Sequence, residues 1–497
     1  MAWLLYAPAL TADFVWDARA KVLGSDFIHE PANLGEVLTG RVLGRDVLDN
    51  NRPGNLLSLM VDAALWGRRP AGYHATSITL HAAVCAMLFL LLARLLPGQG
   101  TWAAFLGAAA FAVHPLNCEA VSEVSYREDM LVTGSMLAAL FAAMAFMRKP
   151  GVWRNFALGA FCCTALLFGV SAKENGAAGP VILAGYWLLW RRGERRGPWV
   201  GLVAAGFVVV GGFLAARFAL APEHSIIFTS KAARLGGSLA GTLRIQPQIW
   251  AMQFTQIVFP HDLCADYSPY SLRNFTLGMA TGILAAVICG HLFLALRDRG
   301  FALGAIVFWA GLLPVANLVP LYRPMADRFL YLPLVGLAMM LARGLDAADR
   351  LRSEARVTVY CGVAAWICAM GLMTFEREPV WHDSLALWQN TATVNPYSTP
   401  AADNLGWALF DAGRNLDACA AFRRAIYLTG EKGADPWAGL ALASDAAGAP
   451  EAADAAYGRA AALDARYAHP QELVAALVME RDDAGKLEVL ARRNTTP

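Results

Sequence analysis

Charge is scarce in this chain. Asp, Glu, Lys and Arg make up 16% of its 497 residues while 57% are hydrophobic, and the mean hydropathy is +0.42. That composition excludes an ordinary soluble enzyme. A basic tract with interleaved aromatics is missing, and the formal net charge is only +2, so nothing points to a nucleic-acid partner. The nine cysteines lack a CxxC or other metal or redox spacing. Cys162 and Cys163 are adjacent, and Cys85, Cys361 and Cys368 lie in apolar runs, where a small buried thiol is the ordinary reading. Cys118 and Cys264 fall on the same expected side of the membrane, but sequence does not supply the separation a disulfide needs. No positively charged region precedes the apolar segment Met1–Ala12, which argues against a cleaved signal peptide. That segment is too short to span a bilayer, so the expectation is a start assigned downstream of the true one.

What the chain does have is long apolar runs. About ten are long enough to cross a bilayer, and Met1–Ala12 adds an incomplete one. They are Tyr73–Leu96, Thr101–Val121, Met130–Met147, Asn155–Val170, Gly176–Trp190, Trp199–Ala221, Phe275–Leu296, Phe301–Leu321, Phe329–Ala342 and Val357–Thr374. The expected class is therefore an all-α, polytopic membrane protein with about 11 membrane helices. Alternate short connections carry the basic residues, among them Arg148, Lys149 and Arg154, then Arg191 to Arg196, then Arg343 to Arg356. In short loops that bias marks the cytoplasmic side. The other connections then face outward, and every acid-rich motif falls on that outer side.

The densest of those motifs is Phe111 to Asp129, FAVHPLNCEAVSEVSYRED, which sets His114, Glu119, Glu123, Arg127, Glu128 and Asp129 between two nearly uncharged runs. A solvated loop explains any one of them. It explains the whole cluster less well than a site at the water boundary does, because ionisable residues at membrane depth are costly. The long outer stretches Asp13–Gly72 and Pro222–Asn274 carry apolar residues at helical spacing, such as Leu34, Val37 and Leu38, or Ile249, Trp250 and Phe254. They are expected to lie on the membrane surface and roof the site.

After Phe375 the composition turns to an alanine-rich helical tail. Asn404-Leu405-Gly406-Trp407, followed by Ala418, Ala421, Phe422 and Ala425, recurs as Gly439-Leu440-Ala441-Leu442, followed by Ala453, Ala456, Tyr457 and Ala460. The offset is close to the tetratricopeptide period. A half repeat from Leu385 to Pro396 precedes the two, and Pro470 to Arg493 is expected to cap them. The domains read from this are residues 1–376, in the membrane, and 377–497, the repeats.

The ordered series WD (Trp16-Asp17), RP (Arg52-Pro53), GYH with LH (Gly72 to His74, Leu80-His81), FAVHP with EAV, KE (Lys173-Glu174), DYS (Asp266 to Ser268), ANL (Ala316 to Leu318) and DRFLYLP (Asp327 to Pro333) resembles the transmembrane-and-tetratricopeptide-repeat O-mannosyltransferases. These are GT-C class glycosyltransferases that use polyprenyl-phosphate sugars. The resemblance runs from Phe14 to about Tyr467. One position departs from it: the family shows two adjacent aspartates in the first outer loop, and the second is Ala18 here.

The resemblance implies transfer of a hexose, mannose in the family, from a polyprenyl phosphate to Ser/Thr hydroxyls of secreted proteins. Such a reaction needs a carboxylate to take the acceptor proton and cations to hold the departing phosphate. Asp17 is the first candidate base, with Glu119, Glu128 and Asp129 as further catalytic carboxylates. Arg52, Arg127, Lys173 and Arg328 are the candidates for the phosphate, since guanidinium groups grip it through paired hydrogen bonds. Arg328 also suits a helix anchor. His74, His114, Glu174, Asp266 and Tyr267 are assigned to the sugar or acceptor. His81, seven residues after His74, shares its helix face and reads as an interfacial histidine. A divalent cation fits the chemistry of Asp17 with Glu128 or Asp129, but no ligand spacing marks one, so neither a metal nor another cofactor is assigned. The expected partners are the lipid donor, a secreted polypeptide and membrane lipid. The expected place is a bacterial inner membrane, with site and repeats facing the periplasm. Transfer to a lipid or polysaccharide, and a catalytically silent scaffold, are the alternatives. A transporter ranks last, because its polar residues would sit at midplane depth.

Overall fold

In the computed structural model the described residues are 1–96, 100–221, 234–469 and 481–495, and every regular element among them is helical. They divide into two compact units. The first comprises Met1–Ala12, Ser25–His261 and Asn274–Pro379, and the second Asp13–Gly24, Asp262–Arg273 and Val380–Pro497. Parts of both long outer stretches thus group with the C-terminal region.

Among its described residues the first unit contains seven helices long and apolar enough to cross a membrane: Pro70–Leu95, Val124–Ala145, Val152–Ala172, Arg196–Leu220, Leu277–Ala295, Asp327–Ala348 and Ser353–Trp381, the last running just past its boundary. These mark an integral membrane protein. Thr101–Ala112 with Pro115–Ser122 makes an eighth if the pair is one span bent by 51°. The bend has a local cause: Pro115 has no N–H to continue the helix, and His114 turns extended and caps the next turn by accepting from the Leu116 N–H. The three other runs counted from sequence are shorter here. Gly176–Trp190 breaks into the turn Glu174–Ala178, helix Gly179–Tyr186 and a wide turn, Phe301–Leu321 is helical only as far as Val315, and Met1–Ala12 holds just Ala2–Leu5 and a 3-10 turn.

Small residues bring these helices together, as is usual where lipid removes most of the hydrophobic drive between them. A Cβ on Gly107 would stand 2.7 Å from Ala342 Cβ, and one on Gly304 would stand 2.8 Å from the Gly336 carbonyl. Gly54 does the same for the site. A Cβ there would meet Ser171 Oγ at 2.7 Å, so the start of helix Pro53–Trp66 can approach the end of Val152–Ala172 and set Arg52 beside Lys173-Glu174. The stretches expected as surface helices form helix Leu34–Leu38 and the 20-residue helix Leu239–Val258, on which Ile249, Phe254 and Ile257 are buried. The part of the second stretch at 222–233 lies outside the described residues.

In the second unit, helices Thr399–Asp411 and Asn415–Leu428 recur 35 positions later as Ala434–Ala446 and Pro450–Leu463. Each hairpin closes the same way: Gly413 and Gly448 sit at left-handed φ of 72° and 79°, and the next residues donate back to Leu409 and Ser444 at 2.9 Å. Phe422 is fully buried in the notch left by Gly406 and Gly439, where any side chain would collide with its ring. Helix Ser384–Val394 precedes the hairpins and Arg481–Thr495 follows them. Residues 470–480 of the expected cap lie outside the described residues.

Within this unit Asp403 and Asp435 hydrogen-bond to each other, and Tyr467 Oη donates to Asp435 at 3.0 Å. Burial raises both carboxyl groups, and for Asp403 its neighbour's charge adds to the shift and carries it well above the ordinary range. A raised folded-state value means the folded chain binds the proton more tightly. The pair therefore stabilises most at or below the unfolded value of about 3.9, and less as pH climbs toward the folded value. Hydrogen exchange in helix Thr399–Asp411 should show weaker protection against opening at pH 8 than at pH 5. Asp403→Asn should flatten that slope; an unchanged slope would show the proton is not shared there.

Candidate functional site

The cluster at Phe111–Asp129 is not a solvated loop. Every residue from Phe111 to Thr133 is buried. Charges removed from water must be paired, and the partners come from distant parts of the first unit. Glu119 takes the Arg328 backbone N–H at 2.9 Å and also pairs with its guanidinium, which lies 3.8 Å from the Tyr126 ring centroid. Glu128 accepts from Arg52 Nη1 at 2.7 Å and forms an ion pair with Lys173 Nζ at 3.0 Å, and Lys173 donates to Asp129 at 2.6 Å. Arg52 spans onward to Glu174 through Nη2 at 2.9 Å and Nε at 3.4 Å. Thus Glu128, Asp129, Arg52, Lys173 and Glu174 gather at one end of the unit, and the DRFLYLP motif adjoins them, with Lys173 Nζ 5.6 Å from the Phe329 ring centroid. His81 ties that motif in as well, since its Nδ1 lies 2.7 Å from Tyr331 Oη and its Nε2 3.2 Å from the Ala112 carbonyl oxygen.

The opposite end carries the basic connections. Arg154 and Arg191 donate to the Ala145 and Phe146 carbonyls, Arg299 lies over Trp190, and Arg343 binds Asp298 and Asp346. The charge asymmetry read from the loops is therefore also an asymmetry between the two ends of one unit.

Arg127 stands apart from the other phosphate candidates. It is wholly buried, pairs with Asp62, and donates to the Val124 and Tyr73 carbonyls at 2.9 and 3.1 Å. Its donors are spent on neighbouring helices, which makes it a strut for helix Pro53–Trp66 and not an open grip for a ligand. His114 is similarly engaged, with Nε2 2.9 Å from the Ile257 carbonyl oxygen. His74 is buried on helix Pro70–Leu95.

Arg52 and Glu174 lie outside the membrane-spanning helices, and their ionisation is set by each other. Burial alone would lower the Arg52 pKa, but Glu128 and Glu174 more than reverse this and hold it well above its ordinary value. Burial alone would raise Glu174, yet Arg52, Arg217 and Lys173 hold it far below the usual carboxylate range. At neutral pH both are charged.

Two contributors escaped the sequence reading. Asp62 was hidden in the apolar helix PGNLLSLMVDAALW, and Arg217 in the apolar helix ending AARFAL. A lone ionisable residue inside such a run is itself the signal that could have found them. Beside the turn Glu174–Ala178 lies a small crevice lined mainly by apolar side chains with Ser135 and Asn175; Asn175 Oδ1 is buried there without a hydrogen-bond partner.

The remaining candidates belong to the second unit. Asp17 is 39% exposed and has Lys21 Nζ at 3.7 Å. Trp16 before it holds a left-handed φ of 50°, its ring packed on Trp381 and Trp388. Asp266 accepts from Ser398 Oγ at 2.6 Å through its carboxylate and from Asn395 Nδ2 at 2.9 Å through its carbonyl, and Tyr267 Oη accepts from the Cys264 N–H at 3.4 Å. All nine cysteines are free thiols. Among the described residues no group of three or more His, Cys, Asp or Glu side chains is placed to hold a metal ion.

No protein-family model matches the chain. Curated relatives do, and they bear out the resemblance carried by the motifs. A protein O-mannosyl-transferase of Caenorhabditis elegans is 24% identical over 85% of this chain and 61% of its own. The protein O-mannosyl-transferase Tmtc1 of Drosophila melanogaster is 24% identical over 84% of this chain and 59% of its own, and the human protein O-mannosyl-transferase TMTC2 is 29% identical over 38% and 21%. The chain thus spans about three fifths of the length of the worm and fly relatives. Among solved structures, that of ArnT from Cupriavidus metallidurans bound to undecaprenyl phosphate aligns with 94% of this chain and 79% of its own at 14% identity and a TM-score of 0.41, too distant to bear on the reading.

Proposed function

We propose that this chain is a GT-C-type membrane glycosyltransferase that moves a hexose, mannose by similarity to its relatives, from a polyprenyl phosphate to Ser/Thr hydroxyls of secreted polypeptides. The observation that carries this is the buried network of Arg52, Lys173 and Arg328 with Glu119, Glu128 and Asp129 at one end of a bundle of apolar helices. A lipid-linked phosphosugar presents charge at that depth and hydrocarbon beside it. Relatives named protein O-mannosyl-transferases support the choice of reaction.

In this reading Asp17 is the base. It takes the proton of the acceptor hydroxyl as the hydroxyl oxygen bonds to the anomeric carbon, and the bond from that carbon to the phosphate oxygen breaks with its electron pair going to the phosphate. The strained Trp16 backbone, held by two tryptophans, supports a functional role at this position, since such strain persists where surrounding packing fixes it and clusters at active sites. Arg52, Lys173 and Arg328 neutralise the departing phosphate, while Arg127 keeps the scaffold. His74, Asp266 and Tyr267 remain assigned to the sugar and acceptor, whereas both ring nitrogens of His114 are taken by the Leu116 N–H and the Ile257 carbonyl and Glu174 is held by Arg52 and Arg217. The hairpin array, read as tetratricopeptide-type repeats, recruits the polypeptide. The acidic end and the repeats face the periplasm of a bacterial inner membrane.

Intact-mass analysis of secreted proteins tests this. Cells with the chain should carry proteins heavier by hexose increments than cells without it; identical mass profiles would contradict the proposal.

A further inference from the structure

Arg217 occupies an unusual place. It lies in the 25-residue helix Arg196–Leu220, whose apolar window has a mean hydropathy of 2.2, and it is only 8% exposed. A guanidinium carries five N–H donors and cannot shed its charge. Here one of its nitrogens, Nη1, reaches Glu174 Oε2 at 3.2 Å, while Nε is buried with no hydrogen-bond partner. A buried cation so poorly satisfied is costly to keep.

Glu174 is the complementary oddity. Its carboxylate lies between Arg52 and Arg217 and follows Lys173 in sequence. Yet its side chain is 29% exposed, against 1% for Glu128 and 3% for Asp129. Of the four acids paired with these cations, Glu119 being 1% exposed as well, it alone sits at the rim. Arg52 would keep its bond to Glu128 through Nη1 if Glu174 swung away, and its Nη2 and Nε edge would then be open beside Arg217.

We infer that Glu174 is an internal stand-in for a phosphate, and that an incoming phosphate monoester or diester displaces it to bind Arg52 and Arg217 together. Phosphate oxygens can accept from the paired Arg52 donors and from Arg217 at once, which a carboxylate with two oxygens already divided between the two arginines does less completely. The glutamate side chain turns toward water, and no covalent bond changes. This assigns Arg217 as a binding residue and gives Glu174 the task of keeping two cations neutral while the site is empty. It rests on the donor class proposed above.

Binding of farnesyl phosphate to the full chain in lipid nanodiscs tests it, with farnesol and inorganic phosphate as controls. Arg217→Met keeps the apolar bulk and removes the donors, so the affinity for farnesyl phosphate should fall about tenfold. Glu174→Gln removes the competing charge, and affinity should rise several-fold, a gain that misfolding cannot produce. Farnesol should bind alike to all three chains. If the wild-type chain binds farnesyl phosphate but both variants match it, or if Glu174→Gln binds more weakly, the stand-in is overturned and the donor class survives. If the wild-type chain binds no farnesyl phosphate, the donor class fails and this inference with it. If inorganic phosphate binds as tightly, with the same pattern across variants, the phosphate site holds and its ligand is not a lipid headgroup.

Discussion

Asp17→Asn should lower turnover by about 100-fold or more, the usual loss when a general base is removed, while donor binding stays close to that of the native chain. Asparagine matches aspartate in size and can still meet Lys21, 3.7 Å away in the native chain, so the local turn should survive. The left-handed Trp16 beside it keeps its ring contacts with Trp381 and Trp388, which the substitution does not touch. Single-turnover transfer from a polyprenyl-phosphate sugar to a Ser/Thr peptide, measured at saturating donor, separates the two effects. Near-native turnover would remove Asp17 as the base and pass the role to Glu119, Glu128 or Asp129, to be tested in that order. Ala18 sharpens this test, because no neighbouring aspartate can cover for the loss.

The second large effect is on stability. Arg127→Met leaves Asp62 buried at 1% exposure without its cation, and breaking such a pair from one side costs about 3–5 kcal/mol. Thermal unfolding in detergent should show a marked drop in midpoint. Adding Asp62→Leu, which removes the orphaned charge, should recover much of the loss. An Arg127→Met chain as stable as the native one would mean the residue is not the strut described here.

Much of the membrane unit was legible in the sequence because its signal is local. Apolar runs and Pro or Gly punctuation lie next to the helices they define, and helices Pro70–Leu95 and Arg196–Leu220 fall close to the runs read for them. The runs that shortened failed for equally local reasons, such as the reversal at Gly176, where a Cβ would collide with the Val170 backbone. The helical hairpins were legible because a repeat compares the chain with itself. Pairing within the candidate site was not. Glu119 and Arg328 are 209 positions apart, and Arg52 and Glu174 are 122 apart, so no spacing rule announces them. Arginine 127 looked like its neighbours until Asp62, 65 positions upstream, was seen to occupy it. The sequence could name the charged residues that membrane depth makes costly; only folding decides which are spent on each other.

The most direct measurement is transfer by the purified chain in lipid. Given a polyprenyl-phosphate mannose and a Ser/Thr peptide, the peptide should gain one hexose for each polyprenyl phosphate released, and the product should be lost on β-elimination as a hydroxyl-linked sugar is. A folded chain that leaves the peptide mass unchanged with that donor, under conditions where donor binding is demonstrated, would contradict the account.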